Sequence, residues 1–250
     1  MALQEEMESQ GNYLFRHRGT FPIIILVIGF FVFLQSKMNT EIIQKENPLT
    51  QTVYDYVCLF VSLFGLIIRS YTVGHTPANT SGRNTSGQLA DVLNSTGIYS
   101  IVRHPLYLGN FFMWLGVAML TVNFWFIVAF IFIYWVYYER IMFAEEQFLR
   151  KKFGTAYTLW ASSTPAFLPA YKLFEKPGLP FSWKKVLKKE KNGLVAVFLI
   201  FFIFYAASCY VTNQKIDNLF LIYSCIFSVA LYFVLKYLKK YTKVLDESGR

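Results

Sequence analysis

Two polar clusters flank one apolar stretch, and they hold residue types that can do chemistry. The first lies in Gly97-Ile98-Tyr99-Ser100-Ile101-Val102-Arg103-His104-Pro105-Leu106-Tyr107-Leu108-Gly109. The second runs from Glu139-Arg140 through Glu145-Glu146 to Phe153-Gly154 and Tyr157. Arg103 and His104 suit an anion such as a carboxylate or phosphate. Glu145 and Glu146 suit a diol or a cation, because an ionised carboxylate is purely an acceptor. Adjacent helical residues point about 100° apart, so the two glutamates face different ways, and Glu146 is the preferred inward one. Charged groups near membrane depth are costly and mark functional candidates.

The elements that must position these residues are apolar. Hydrophobic residues make up 55% of the 250 residues and charged residues 16%, with the apolar ones gathered into long runs. Runs of about 18 or more uncharged residues read as spanning helices. Six spans are expected, near residues 21–34, 52–68, 194–211 and 219–235, with the third and fourth in a hairpin over 106–138 that breaks near Thr121 and Asn123. No strict alternation suggests a β-barrel. The expected fold is therefore all-α, a polytopic transmembrane bundle whose helices satisfy their own backbone hydrogen bonds. Each hairpin arm of about 25 Å crosses and returns, which brings the two polar clusters to one side. Pro105 fits the first turn of the third span, and Gly109 and Gly116 permit close helix approach.

Charge orients the bundle. All but three of the 24 Lys and Arg fall on the N-terminal tail, 69–105, 139–191 and the C-terminal tail, whereas Lys37, Lys45 and Lys215 lie on the opposite loops. This asymmetry predicts both termini in the cytoplasm. The first span reads as uncleaved, since Gln35-Ser36-Lys37-Met38 lacks a small-x-small pattern. The net charge of +9 then faces anionic lipid headgroups rather than nucleic acid. Residues 1–19 read as a mobile polar tail, 20–98 as two spans and a loop, and 99–170 as the chemical core. Residues 171–191 read as a basic interfacial connector and 192–250 as a terminal hairpin and tail. Asn-x-Ser/Thr matches at Asn79, Asn84 and Asn94 lie in a loop expected inside, where glycosylation does not occur. Cys58, Cys209 and Cys225 have no metal or redox spacing, and no metal ligands are expected. No Walker loop, nucleophile elbow or Rossmann glycine pattern is present.

Arg103-His104-Pro105-Leu106-Tyr107-Leu108-Gly109, Glu145-Glu146, Phe153-Gly154-x-x-Tyr157 and Pro165-x-x-x-Pro169 together resemble the isoprenylcysteine carboxyl methyltransferases and the related phospholipid methyltransferases. The resemblance implies S-adenosylmethionine as cofactor. By motif position it implies cofactor contacts from Tyr99, His104, Pro105, Tyr107, Leu108, Gly109, Glu145 and Glu146, with Arg103, His104 and Glu146 in the catalytic set. Arg69, Arg83, Tyr157 and Trp160 are substrate-side candidates. Trp160 stands where many relatives carry a second Tyr, Ser100 where Arg or Lys is frequent, and two spans continue beyond Pro169.

The expected function is methyl transfer, within the membrane, to a lipid or lipidated acceptor. Basic Arg69, Arg83 and Arg103 against few candidate bases (Asp91, His75) lean toward an anionic acceptor, a lipid phosphate or a prenylcysteine carboxylate, because an amine acceptor requires a base. Other readings are a phospholipid amine N-methyltransferase, an NADPH-dependent sterol-type reductase and a non-catalytic scaffold or transporter. Paired Glu145-Glu146 followed by Phe153-Gly154 disfavours the reductase, and polar clusters at the edge rather than mid-membrane disfavour transport. The expected membrane is a bacterial inner membrane or the endoplasmic reticulum.

Overall fold

The computed structural model describes residues 2–43, 48–80 and 88–250. Arg83, Lys45 and Asn84 lie outside them. The described residues form eight α-helices: α1 (Leu3–Arg16), α2 (Thr20–Ile43), α3 (Pro48–Gly74), α4 (Pro105–Met119), α5 (Phe124–Phe153), α6 (Thr155–Ser163), α7 (Trp183–Val211) and α8 (Leu219–Tyr241). There is no strand among the described residues, only a bridge between Gly97 and Glu175. Five helices (α2, α3, α5, α7 and α8) are long and apolar enough to cross a membrane, and α4 is a shorter apolar helix. The protein is a polytopic helical membrane protein.

Side-chain caps set several helix boundaries. Asn123 Oδ1 accepts from Phe126 N at 2.9 Å and starts α5. Ser182 Oγ accepts from Lys185 N at 3.1 Å and starts α7, and Asn218 Oδ1 accepts from Leu221 N at 3.1 Å and starts α8. The break expected near Thr121 and Asn123 is a tight turn in which Thr121 Oγ1 donates to Ala118 O at 2.7 Å. The hairpin arms are unequal, however. Helix α4 has 15 residues and α5 has 30. Helix α5 continues beyond Tyr138 through the charged segment, so Glu145 and Glu146 ride on the same rigid rod as the apolar arm.

Small residues allow α3 and α4 to pack closely. A Cβ on Gly65 would sit 2.3 Å from Gly109 O, and one on Gly116 would sit 2.3 Å from Cys58 O and from Ser62 Oγ. Two hydroxyls cross the same seam: Ser62 Oγ donates to Met113 O at 2.8 Å and Tyr54 to Met119 O at 2.8 Å. Close backbone approach and interhelical hydrogen bonding are the usual sources of association in lipid.

Two sequence expectations need correction. The segment expected as a mobile tail contains helix α1, which packs on α5. Phe15 is buried, and a Cβ on Gly11 would lie 2.1 Å from Arg140 O. Its polar composition hides one apolar, small-residue face. The connector expected over 171–191 ends at Ser182, because Trp183–Lys191 form the first turns of α7. Lys185 there is buried, donating from Nζ to Thr76 O at 2.5 Å, Thr76 Oγ1 at 3.0 Å and Pro77 O at 2.8 Å. This ties α7 to the chain just after α3.

Candidate active site

The Arg-His-Pro segment is held at both backbone and side chain. Arg103 N donates to Pro165 O at 2.9 Å, His104 N to Ala166 O at 3.2 Å, and Ala170 N to Ile101 O at 2.9 Å. The segment bearing Pro165 and Pro169 is thus zipped to residues 101–104. Helix α4 begins directly after, with Pro105 in its first turn, where its missing N–H costs nothing.

One carboxylate oxygen organises the side chains. Glu146 Oε1 accepts from Arg103 Nε at 2.8 Å and from His104 Nε2 at 2.9 Å. A carboxylate only accepts, so Nε2 carries the proton. Arg103 Nη1 donates to Ala161 O at 2.8 Å and Thr164 O at 2.6 Å, which binds the end of α6 into the cluster. His104 Nδ1 lies 3.7 Å from Glu145 Oε2. The His104 ring stacks on Tyr107 at 5.7 Å and 24°. Tyr134 on α5 donates to Tyr107 O at 2.7 Å and joins the hairpin arms.

Beside this cluster lies a cavity of about 490 Å³, within the range of small-molecule sites. Tyr99, Arg103, His104, Pro105, Tyr107, Glu145, Tyr157, Trp160 and Arg69 all line it. The two glutamates divide the work as their angular offset requires. Glu145 faces the cavity, whereas Glu146, preferred as the inward one, turns to Arg103 and His104. Leu108 and Gly109, also among the expected contacts, do not line the cavity. Leu108 is in the core, and a Cβ on Gly109 would lie 2.6 Å from Arg69 Cγ. Gly109 instead gives room to Arg69.

Arg69 is fixed by two other helices. Its Nε and Nη2 meet the carboxylate of Glu190 on α7 at 2.9 and 2.8 Å, and its Nη1 donates to Asn110 Oδ1 on α4 at 2.8 Å. Neither Glu190 nor Asn110 stood out in the sequence. Glu190 hides in a lysine-rich stretch, and a lone Asn in an apolar span was the signal available.

Tyr157 is fully buried and lines the cavity, yet its hydroxyl is without a hydrogen-bond partner, which holds for no other buried side-chain N or O among the described residues. Burial, with the Glu146 charge adding to it, holds this phenol above its ordinary range. Burial and the Glu145 charge do the same to Tyr99, opposed by Arg69. Both phenols are therefore neutral. Trp160 Nε1 donates to Tyr99 O at 3.1 Å, so these expected ligand contacts support one another. Among the described residues no group of three or more His, Cys, Asp or Glu is arranged to hold a metal ion.

Fold and site together describe a helical membrane protein with a cavity of mixed polar and apolar lining at one end of its bundle. The sequence pattern of the phospholipid methyltransferases matches residues 56–156. The protein-S-isoprenylcysteine O-methyltransferase of Saccharomyces cerevisiae is 32% identical over 158 residues, 63% of each chain. That of Schizosaccharomyces pombe is 37% identical over 79 residues, 31% of this chain and 33% of the relative. The nickel-cobalt-cadmium resistance protein NccN of Alcaligenes xylosoxydans xylosoxydans is 32% identical over 163 residues, 65% of this chain and 70% of that one. The chain thus spans less than two thirds of the two yeast relatives it matches. No solved structure matches it. The chain belongs to the isoprenylcysteine carboxyl methyltransferase and phospholipid methyltransferase superfamily.

Proposed function

We propose that the protein is a membrane-embedded, S-adenosylmethionine-dependent methyltransferase acting on a lipid or lipidated acceptor. The observation that carries this reading is the cavity shared by His104, Glu145 and the Tyr157 side chain, whose buried hydroxyl has no hydrogen-bond partner. A buried hydroxyl left without a partner is costly unless a ligand completes it. The relatives named as isoprenylcysteine O-methyltransferases supply the chemistry with which such a ligand is consistent.

The residues fit the cofactor. When bound, S-adenosylmethionine supplies a methyl group already activated on a sulfonium. Glu145 would hold its ammonium or ribose diol, and Tyr157 would give or accept one hydrogen bond. The remaining N–H groups of Arg103, at Nη2, would serve its carboxylate. Tyr99, Tyr107 and Trp160 offer aromatic faces that favour a nearby cation. His104 holds Glu146, and Glu146 holds Arg103, so the pair keeps the first wall rigid. The protein's part is then mainly alignment.

An anionic acceptor remains the preferred substrate class. Arg69 and Arg103 line the cavity and offer positive charge to such a group, whereas an amine acceptor would need a base, for which His104, through Nδ1, and Glu145 are the candidates there. The charge asymmetry of the loops supports an inward-facing cavity with both termini cytoplasmic, in a bacterial inner membrane or the endoplasmic reticulum. The test is a titration of purified protein with S-adenosylhomocysteine beside NADPH. Saturable binding of S-adenosylhomocysteine alone is expected. Binding of NADPH alone would transfer the protein to the reductase class.

A further inference from the structure

Helix α1 is part of the cavity wall. Phe15 on α1, and Arg18 and Gly19 on the corner that follows it, line the cavity. Gln88, Leu89 and Val92 line it from the chain between α3 and α4. These two pieces meet, because Gln88 Nε2 donates to Asn12 Oδ1 at 3.2 Å. Leu89 and Val92 line the cavity and are still 54% and 55% exposed, so the wall there is one residue thick.

The hold on α1 is light. Of its 14 residues only Gly11 and Phe15 are buried. Gly11 lets α1 lie directly on α5, where a Cβ would come within 2.7 Å of Ala144 Cβ and also meet the Arg140 carbonyl. Further along, Lys151 Nζ on α5 donates to Glu8 Oε1 at 2.6 Å, in a pair whose lysine side chain is 68% exposed. Exposed pairs of this kind contribute little and are screened by salt. Near the corner the grip is firmer. Phe21, at the start of α2, stacks on Tyr137 of α5 at 4.0 Å and 8°. The Tyr137 hydroxyl lies 3.3 Å from both Leu14 O and His17 O. Residues 17–19 form a turn rather than helix. Helix α1 therefore has a pivot at Tyr137 and a far end held by one small-residue seam, one ring and a few polar contacts.

We infer that α1 is the cover of the cavity, and that it swings about the Tyr137 corner to let a ligand in and out. Opening lifts Gly11 from α5, draws Phe15 out of the wall and parts Asn12 from Gln88. The inference goes beyond the methyltransferase reading and rests on it only for naming the ligand. It gives a role to a helix that lies outside the matched residues 56–156. A cover that gates the cavity changes entry and exit together, whereas a wall that the ligand merely touches changes exit alone.

Two readouts test this on the purified full chain in detergent. Val73 on α3 lines the cavity and is buried, so the rate at which Val73→Cys is labelled by N-ethylmaleimide reports opening with no ligand present. The three native cysteines are buried, and labelling of the unsubstituted protein gives their background. The second readout is S-adenosylhomocysteine exchange, with entry and exit rates followed separately. Gly11→Leu cannot lie against Arg140 and Ala144, and it is expected to raise the labelling rate and both exchange rates by at least about tenfold. Lys151→Glu is expected to raise them by about threefold, and adding Glu8→Lys to restore them. These two surface changes carry the test where Gly11→Leu does not fold. Unchanged labelling and exchange in a folded Gly11→Leu protein overturns the inference, as does a Lys151→Glu effect that Glu8→Lys fails to reverse. Faster exit with unchanged entry makes α1 a binding wall and overturns the cover. Labelling that responds to α1 in a protein that binds no S-adenosylhomocysteine instead overturns the methyltransferase reading and leaves a covered cavity for another ligand.

Discussion

Glu146→Gln probes the arrangement most directly. The native carboxylate oxygen receives Arg103 Nε at 2.8 Å and His104 Nε2 at 2.9 Å, in a part-buried setting. A hydrogen bond to a charged group contributes about 1.5–3 kcal/mol, and two that share one oxygen are not additive. Gln retains an acceptor oxygen of the same reach but gives up the charge. Arg103 keeps its bonds to Ala161 O and Thr164 O, so the guanidinium stays near its place. His104 keeps its stacking on Tyr107 and Glu145 at 3.7 Å, but bonds a neutral amide oxygen in place of the carboxylate. A net loss of about 2–3 kcal/mol in the organisation of the Arg103–His104 wall is expected. That corresponds to a drop of roughly 30- to 150-fold in S-adenosylhomocysteine affinity if the wall must be preformed. Calorimetry on detergent-purified protein reads the affinity, and a thermal melt confirms that the bundle persists. Unchanged affinity in a folded Glu146→Gln protein would refute the claim that this carboxylate organises the site.

Other outcomes follow from the same geometry. Tyr157→Phe removes a buried hydroxyl that has no partner. The melting temperature is expected to hold or rise, because an unpaired buried group costs about 1–3 kcal/mol, while S-adenosylhomocysteine affinity falls by about tenfold. A clear loss of stability would mean the hydroxyl is bonded within the protein. Gly116→Val would drive a side chain into Cys58 O and Ser62 Oγ, so separation of α3 from α4 at a cost of about 1–3 kcal/mol is expected, read as a lower melting temperature in detergent. Lys185→Met leaves Pro77 O and Thr76 Oγ1 without this donor, and faster proteolysis just after α3, within residues 75–80, at unchanged overall fold is its expected signature. Identical digestion kinetics would remove Lys185 as the anchor of that segment.

Much of this molecule is written in its composition. Long uncharged runs fix the spanning helices, because lipid allows no other way to satisfy a backbone. Asn123 and Thr121 mark the hairpin turn, since their side chains bond local backbone and stop α4 from running on. The order of Arg103, His104, Glu145 and Glu146 around one hairpin was enough to place them at one end of the bundle. Single-sequence patterns are blind, however, to partners distant in the chain. Glu190 among lysines looks like a solvated residue until α7 lies against Arg69. The polar stretch before Thr20 looks mobile until Gly11 meets the backbone of α5. Which of two adjacent glutamates faces the cavity depends on the rotation of α5, and that rotation is set by packing along its whole length. Sequence alone determined the apolar spanning helices and the residue types at the site. Tertiary structure decided which charges are spent on one another and which remain for a ligand, because the direction of a hydrogen bond depends on where the partner helix stands.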